Sequence, residues 1–196
     1  MSKSIDGQNL QQPQPHATLH NSDDQSQSTN EHRAQAPDSV RVAVIVVSDT
    51  RTLETDKGGL LIEELLEAAG HEIASRQVVR DDLEAIKGVA ADAISSDSEV
   101  VILTGGSGIG PRDVTPEAIR PMLTRELPGF GEVFRVLSFE QVGAATMLSR
   151  AFAGVAGRTL VFVLPGSTNA VQLAMEKLIV PEIGHLVREV RPERRK

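Results

Sequence analysis

The 196-residue chain has no cysteine, no tryptophan and no tyrosine, and only five phenylalanines. Without cysteine there is no disulfide, no thiolate metal site and no cysteine nucleophile, which fits a reducing compartment. All five Phe lie between 130 and 162 among apolar neighbours, the setting of core residues, so platforms for stacking bases are scarce. Positive charge is short as well: a net charge of −7 argues against general affinity for nucleic acid or an anionic membrane. The longest strongly apolar run, Val42 to Val47, falls far below the ~18 residues that cross a bilayer, and no apolar leader opens the chain. These absences predict a soluble cytoplasmic protein with neither nucleic acid nor membrane as partner.

Apolar residues are almost missing from positions 1–38, which are rich in Gln, Ser, Asn, Asp and Pro. Such a segment cannot bury enough surface to offset the entropy of ordering, and we expect a disordered tail. His16, His20 and His32 within it lack the spacing of a metal site and read as solvated. From Val40 the pattern changes. "VRVAVIVVSD" is continuous and β-branched, as in a strand buried on both faces. "DKGGLLIEELLEAAG" is a helix with Leu61, Leu65 and Ala68 on one face, Asp56 as N-cap and Gly70 at its C-terminal end. "EIASRQVV" is a second strand; "DDLEAIKGVAADAIS" is a second helix with Leu83, Ile86, Ala90 and Ala93 inward and an Asp81/Glu84 capping box. "EVVILT" is a third buried strand. A third helix opens at Thr115-Pro116-Glu117, with Thr as N-cap and Pro at the first helical position. After an irregular helix, "AFAGVAG" and "TLVFVLP" form a hairpin about Gly157-Arg158, and Ser167 caps a final helix carrying Leu173, Met175, Leu178 and Ile179. The alternation of strand and helix predicts one α/β domain over 39–190, with a mainly parallel sheet covered on both faces, a C-terminal hairpin and helix, and a solvated basic tail at 191–196.

Between the third strand and its helix lies "TGGSGIGPRDVTPEA", with four glycines in six positions. In open α/β sheets ligands bind outside the carboxyl ends of the strands, and glycines there let backbone N–H groups approach an anion, with a following helix adding its positive end. The loop lacks the Gly-Lys-Ser/Thr of a Walker motif. The dinucleotide fingerprint fails too, because Pro111 stands where its third glycine belongs. A phosphate cradle of another kind and a tight turn without ligand both fit. Arg112 can grip phosphate oxygens and Asp113 can hold Mg2+; equally, Asp113 can close an Asx turn beside a surface Arg. Asp81, Asp82 and Asp49 end neighbouring strands and so share a rim with Asp113. Asp81 stays open between a site carboxylate and a helix cap, as does Asp49 between the site and an Asx turn. His71 and His185 have no Ser or Asp at triad spacing, and Ser167 lacks the nucleophile-elbow glycines.

These segments, together with "VVSDTR", "DKGG", "GHE", "VVRDD", "LPGFGEVFR", "LSRAFAGV" and "LPGSTNA", resemble the MoaB/MogA family of molybdenum cofactor biosynthesis, in its MoaB-like branch, over about residues 40–187. The resemblance implies a three-layer α/β/α sandwich and an enzyme that adenylylates molybdopterin with Mg2+-ATP, releasing pyrophosphate. It implies Asp81 and Asp113 as the functional carboxylates and Mg2+ ligands, with Asp81 as second ligand or water-positioning group. It also implies binding roles for Asp49, Gly105, Gly106, Ser107, Gly108, Arg112, Ser149, Arg150, Pro165, Gly166 and Ser167, with Ser149 and Arg150 toward the pterin. A homotrimer or a hexamer of two trimers is implied, with apolar segments in 127–152 as interfaces and other proteins of the cofactor pathway as further partners. The chain has Ser167-Thr168 where many adenylyltransferases continue with Asn or Gln and then Pro. The alternative is therefore a molybdopterin-binding scaffold without catalysis.

Overall fold

The computed structural model describes residues 35–194; most of the expected disordered tail, residues 1–34, lies outside that range. Six strands form one sheet in the order β2-β1-β3-β6-β5-β4. The strands are β1 (Arg41–Val47), β2 (Glu72–Val79), β3 (Val100–Thr104), β4 (Arg125–Glu126), β5 (Phe152–Ala156) and β6 (Thr159–Leu164). The first four in the spatial order run parallel, and β5 and β4 close one edge antiparallel. The β5–β6 hairpin turns at Gly157, whose φ is +61°, a left-handed value that suits a two-residue turn.

Alternation along the buried strands builds two cores. Val42, Val44 and Val46 with Val100 and Ile102 face one side, against Ile62 and Leu66 of α1 (Lys57–Ala68), Phe130 and Phe134 of α4 (Pro128–Val142), and the C-terminal helix. Ala43, Ile45 and Val47 with Val101 and Leu103 face the other, against Ile86, Ala90 and Ala93 of α2 (Leu83–Ser95) and Ala118 and Ile119 of α3 (Thr115–Ile119). A continuous apolar strand is thus the sum of two half-faces, as a strand between helix layers must be. The C-terminal helix comprises α5 (Thr168–Ala174), a π turn at Met175–Ile179 and α6 (Val180–Val190). The wide turn precedes Pro181, which has no N–H to return to the preceding turn.

Several local expectations shift. The inward stripe of α1 is centred on Ile62 and Leu66, while Leu61 and Leu65 are half-buried and Ala68 is exposed. Asp56 caps α1 as expected, accepting from Gly58 N at 3.1 Å and Gly59 N at 2.9 Å. The cap of α2 is Asp82, which accepts from Ala85 N at 3.0 Å, so Asp81 is released from the capping box. Thr115 is inside α3, and its hydroxyl donates to the Gly105 carbonyl at 2.9 Å instead of capping. Phe139 departs from the core and is exposed. The described part of the basic end is exposed at 192–194 yet tethered to the domain: Arg191 Nε donates to Arg158 O at 2.9 Å, and Arg194 pairs with the buried Glu99 at 2.6 Å. No helix among the described residues is long and apolar enough to cross a membrane.

Candidate active site

Parallel strands deliver their following loops to one rim: 48–56 after β1, 80–82 after β2, 105–114 after β3 and 165–167 after β6. The chain passes from β1 to one side and from β3 to the other, so the strand order reverses between them, where such sheets form a crevice. A cleft of about 540 Å3 opens at this rim, walled by the loop Gly105–Gly108, Asp113, Pro165, Gly166, Ser167 and Ser149, with Phe134 and Ser138 of α4 behind. Its size suits a small-molecule site.

The glycines earn their density through contacts. Gly105 and Gly106 have φ of +103° and +58°, which side-chain-bearing residues rarely adopt. A Cβ on Gly105 would lie 2.2 Å from the Val47 carbonyl oxygen; on Gly106, 2.8 Å from Asp81 Oδ1; on Gly108, 2.8 Å from Asp113 Oδ2. Removing side chains therefore brings two carboxylates against one loop. Asp113 Oδ2 accepts Gly110 N–H at 2.8 Å, and Asp81 Oδ1 accepts Val114 N–H at 3.4 Å. Burial pushes the Asp81 carboxyl above the usual aspartate range; the Val114 N–H opposes this, the Asp113 and Asp49 carboxylates add to it, and Arg112 counters them. These charges feel one another across the same few residues. Asp49 Oδ1 also accepts Asp81 N–H at 3.3 Å.

The other expected residues divide by what they touch. Ser149, Pro165, Gly166 and Ser167 stand in the cleft wall with Gly105, Gly106, Ser107, Gly108 and Asp113, whereas Asp49, Asp81, Arg112 and Arg150 do not. Ser107 is buried, and its hydroxyl donates to Leu164 O at 3.2 Å, bracing the loop on β6. Ser167 caps α5 by accepting Ala170 N–H at 3.3 Å. Arg112 pairs with Asp49 at 2.6 Å. Arg150, expected on the pterin side, spends its guanidinium on the loop: Nε donates to Gly108 O at 2.7 Å, Nη2 to Asp113 O at 2.6 Å, and Nη1 to Glu117. The helix after the loop, α3, has only five residues, so its dipole is small and the loop amides carry most of any attraction for an anion.

Some wall residues were not anticipated. Among the described residues, Arg51 is the one cationic side chain in the wall, and Thr146 contributes a buried hydroxyl without a hydrogen-bond partner. Arg51 ends "VVSDTR", so its place at a strand's carboxyl end was a readable signal; Thr146 reaches the cleft through a 3-10 turn, Gly143–Leu148, with no periodicity to announce it.

The model of the probable molybdopterin binding domain matches residues 43–185. The chain belongs to the MoaB/MogA family. Molybdenum cofactor biosynthesis protein B of Bacillus subtilis is 53% identical over 169 residues, covering 85% of this chain and 99% of the relative. Its counterpart in Halalkalibacterium halodurans is 48% identical over the same length, 85% of this chain and 99% of its own. Among solved structures, the tungsten cofactor synthesizing protein MoaB of Pyrococcus furiosus superposes with a TM-score of 0.72 at 41% identity, covering 80% of this chain and 99% of that one. The MoaB/MogA match takes in all four loops of the rim.

Proposed function

We propose that the chain acts in molybdenum cofactor biosynthesis by adenylylating molybdopterin. An oxygen of the pterin's terminal phosphate attacks the α-phosphorus of ATP in line, the bond to the bridging oxygen of the β-phosphate breaks, and pyrophosphate leaves with that electron pair. The observation that supports this reading best is the placement of two carboxylates, Asp81 and Asp113, against one glycine loop at the strand ends. Family membership supports the pathway; the carboxylates support the chemistry.

Magnesium keeps several waters and takes one or two carboxylates along with substrate phosphates. Among the described residues no group of three or more His, Asp or Glu gathers that could cage a metal. Among the described residues, Asp113 Oδ1 and Asp81 Oδ2 accept no hydrogen bond. This donor set fits a cation that comes with a triphosphate, held by Asp113 with Asp81 as second ligand or through a water. Bound there, Mg2+ supplies positive charge to the phosphates between which the bond changes. The chain's own part is positional. The Gly110 N–H fixes Asp113, the Thr115 hydroxyl and Arg150 fix the loop, and the loop amides orient a phosphate. A phosphate monoester is ionised at neutral pH, its second pKa being about 6, so the attacking oxygen needs no strong general base.

Pyrophosphate release from Mg2+-ATP in the presence of molybdopterin tests the reading. Release above the level without pterin is the expected result. Tight pterin binding with no release identifies the scaffold alternative instead. An exposed apolar stripe runs along α4 at Val133, Val136, Phe139 and Val142 and continues in Met147 and Leu148. A stripe of this extent is more than scattered surface residues, and under either reading we assign it to contacts between copies in a homotrimer or hexamer.

A further inference from the structure

A cleft read as taking two phosphate-bearing substrates has to compensate their charge, yet among the described residues its wall holds a single cationic side chain, Arg51. The other arginines of this rim stand outside the wall or are already engaged: Arg80 is exposed and outside the wall. Arg112 is bound to Asp49 at 2.6 Å outside the wall, and Arg150 uses all three guanidinium nitrogens on the loop and Glu117. Arg51 meets Asp56 at 3.6 Å, beyond hydrogen-bond length, and its side chain makes no hydrogen bond among the described residues. A guanidinium has five N–H donors in a planar fork that matches two phosphate oxygens.

The surroundings anchor the backbone of Arg51 without consuming its fork. Ser48 Oγ accepts the backbone N–H groups of Thr50 at 3.3 Å and Arg51 at 3.2 Å, fixing the turn after β1. The Asp56 carboxylate is fully buried and already takes the amides of Gly58 and Gly59. It also meets Arg76 at 3.4 Å, and Arg76 is bound in turn to Glu63 at 2.6 Å. Arg51 and Asp56 are the members of this cluster that line the cleft, and of the two only Arg51 is cationic. The negative charge beneath it, 3.6 Å away, draws its partly exposed head toward the wall, which lowers the ordering cost of binding.

We propose that Arg51 is the phosphate-gripping cation of this site and that Asp56 is the residue that positions it. The proposal rests on the cleft's taking phosphate compounds; the group gripped is a phosphate monoester or polyphosphate, from ATP or from the pterin. The test is titration calorimetry on the full chain and on Arg51→Gln and Arg51→Lys, with Mg2+-ATP, inorganic pyrophosphate and molybdopterin, each at two salt concentrations. Arg51→Gln should weaken the gripped ligand by about ten- to a hundred-fold, as loss of a charged hydrogen bond does. It should flatten the salt dependence and leave Tm unchanged, while Arg51→Lys recovers part of the affinity. Loss confined to ATP and pyrophosphate assigns the triphosphate; loss confined to molybdopterin assigns the pterin's phosphate. Unchanged affinity and salt slope for all three ligands in Arg51→Gln overturns the proposal, as does a loss that only follows a fallen Tm. An unmutated chain that binds pyrophosphate but not molybdopterin sinks the adenylylation reading instead, and the pyrophosphate arm still decides Arg51.

Discussion

Arg150 Nη2 donates to the carbonyl oxygen of Asp113 at 2.6 Å, while Nε of the same guanidinium holds Gly108 O. One side chain from beyond α4 thus sets the backbone on which the site carboxylate stands. Arg150→Lys cannot make both bonds with one ammonium, and displacement of a reacting group by about 1 Å can cost on the order of a hundred-fold in rate. Turnover should fall by about ten- to a hundred-fold with the Kd for molybdopterin unchanged. A raised pterin Kd with normal turnover at saturation returns Arg150 to the substrate contact that the sequence suggested.

Asp113→Asn keeps an oxygen for the Gly110 N–H but loses the charge. Removing a group that stabilises transition-state charge costs about two to three orders of magnitude, and pyrophosphate release should drop accordingly with Tm nearly constant. Survival of turnover at saturating Mg2+-ATP would remove Asp113 from the chemistry.

Asp81 carries a raised pKa, chiefly through burial, so its ionised form is the one the fold disfavours. The sign follows: the native state binds the proton more tightly than the unfolded chain, and stability is lost as pH rises from the ordinary aspartate range through the raised value. Asp81→Asn should therefore raise Tm at neutral pH while lowering turnover, and the gain in Tm should vanish in acid below both values. A Tm difference that grows in acid contradicts the assignment. Thermal melts across pH give the measurement.

Gly105 and Gly157 both have positive φ, but a Cβ would meet the Val47 carbonyl at 2.2 Å in the first and nothing within 4 Å in the second. Left-handed backbone costs an L-residue about 1–2 kcal/mol. Gly157→Ala should cost about that much, and Gly105→Ala distinctly more because backbone has to move. Equal losses would mean that the loop yields freely.

The exposed stripe on α4 predicts assembly. Val136→Asp with Phe139→Asp should shift the mass seen by light scattering toward the monomer; an unaltered mass places the interface elsewhere.

The strands and helices of the domain were legible because burial between two helix layers writes itself as unbroken β-branched runs, such as 42–47, and helices as spaced apolar residues, such as Ile86, Ala90 and Ala93. Which of two adjacent aspartates caps α2 was not legible: both Asp81 and Asp82 sit at workable spacing, and only the backbone path selects Asp82. Thr115 misled for a related reason. Thr-Pro-Glu is a sound helix opening, but the hydroxyl was claimed by a carbonyl ten residues upstream. Arg150 shows the larger limit, since its partners at 108, 113 and 117 lie more than thirty residues away, and no local pattern records such a bond. The shared rim of Asp81 and Asp113 was legible from parallel strands ending together, while the close approach of both carboxylates to the glycines depends on the loop's own backbone path.

Arg194 Nη2 donates to Ser39 O at 2.7 Å, and Gln35 receives Arg188 at 2.8 Å. Entrance and exit of the folded part therefore touch, at the end of the sheet opposite the rim. A short peptide could splice these two points and fresh ends could be cut in an exposed turn elsewhere, yielding a circularly permuted chain whose cleft is undisturbed. Cargo fused at either natural junction would hang from the base of the molecule, leaving the mouth of the cleft open to whatever enters it.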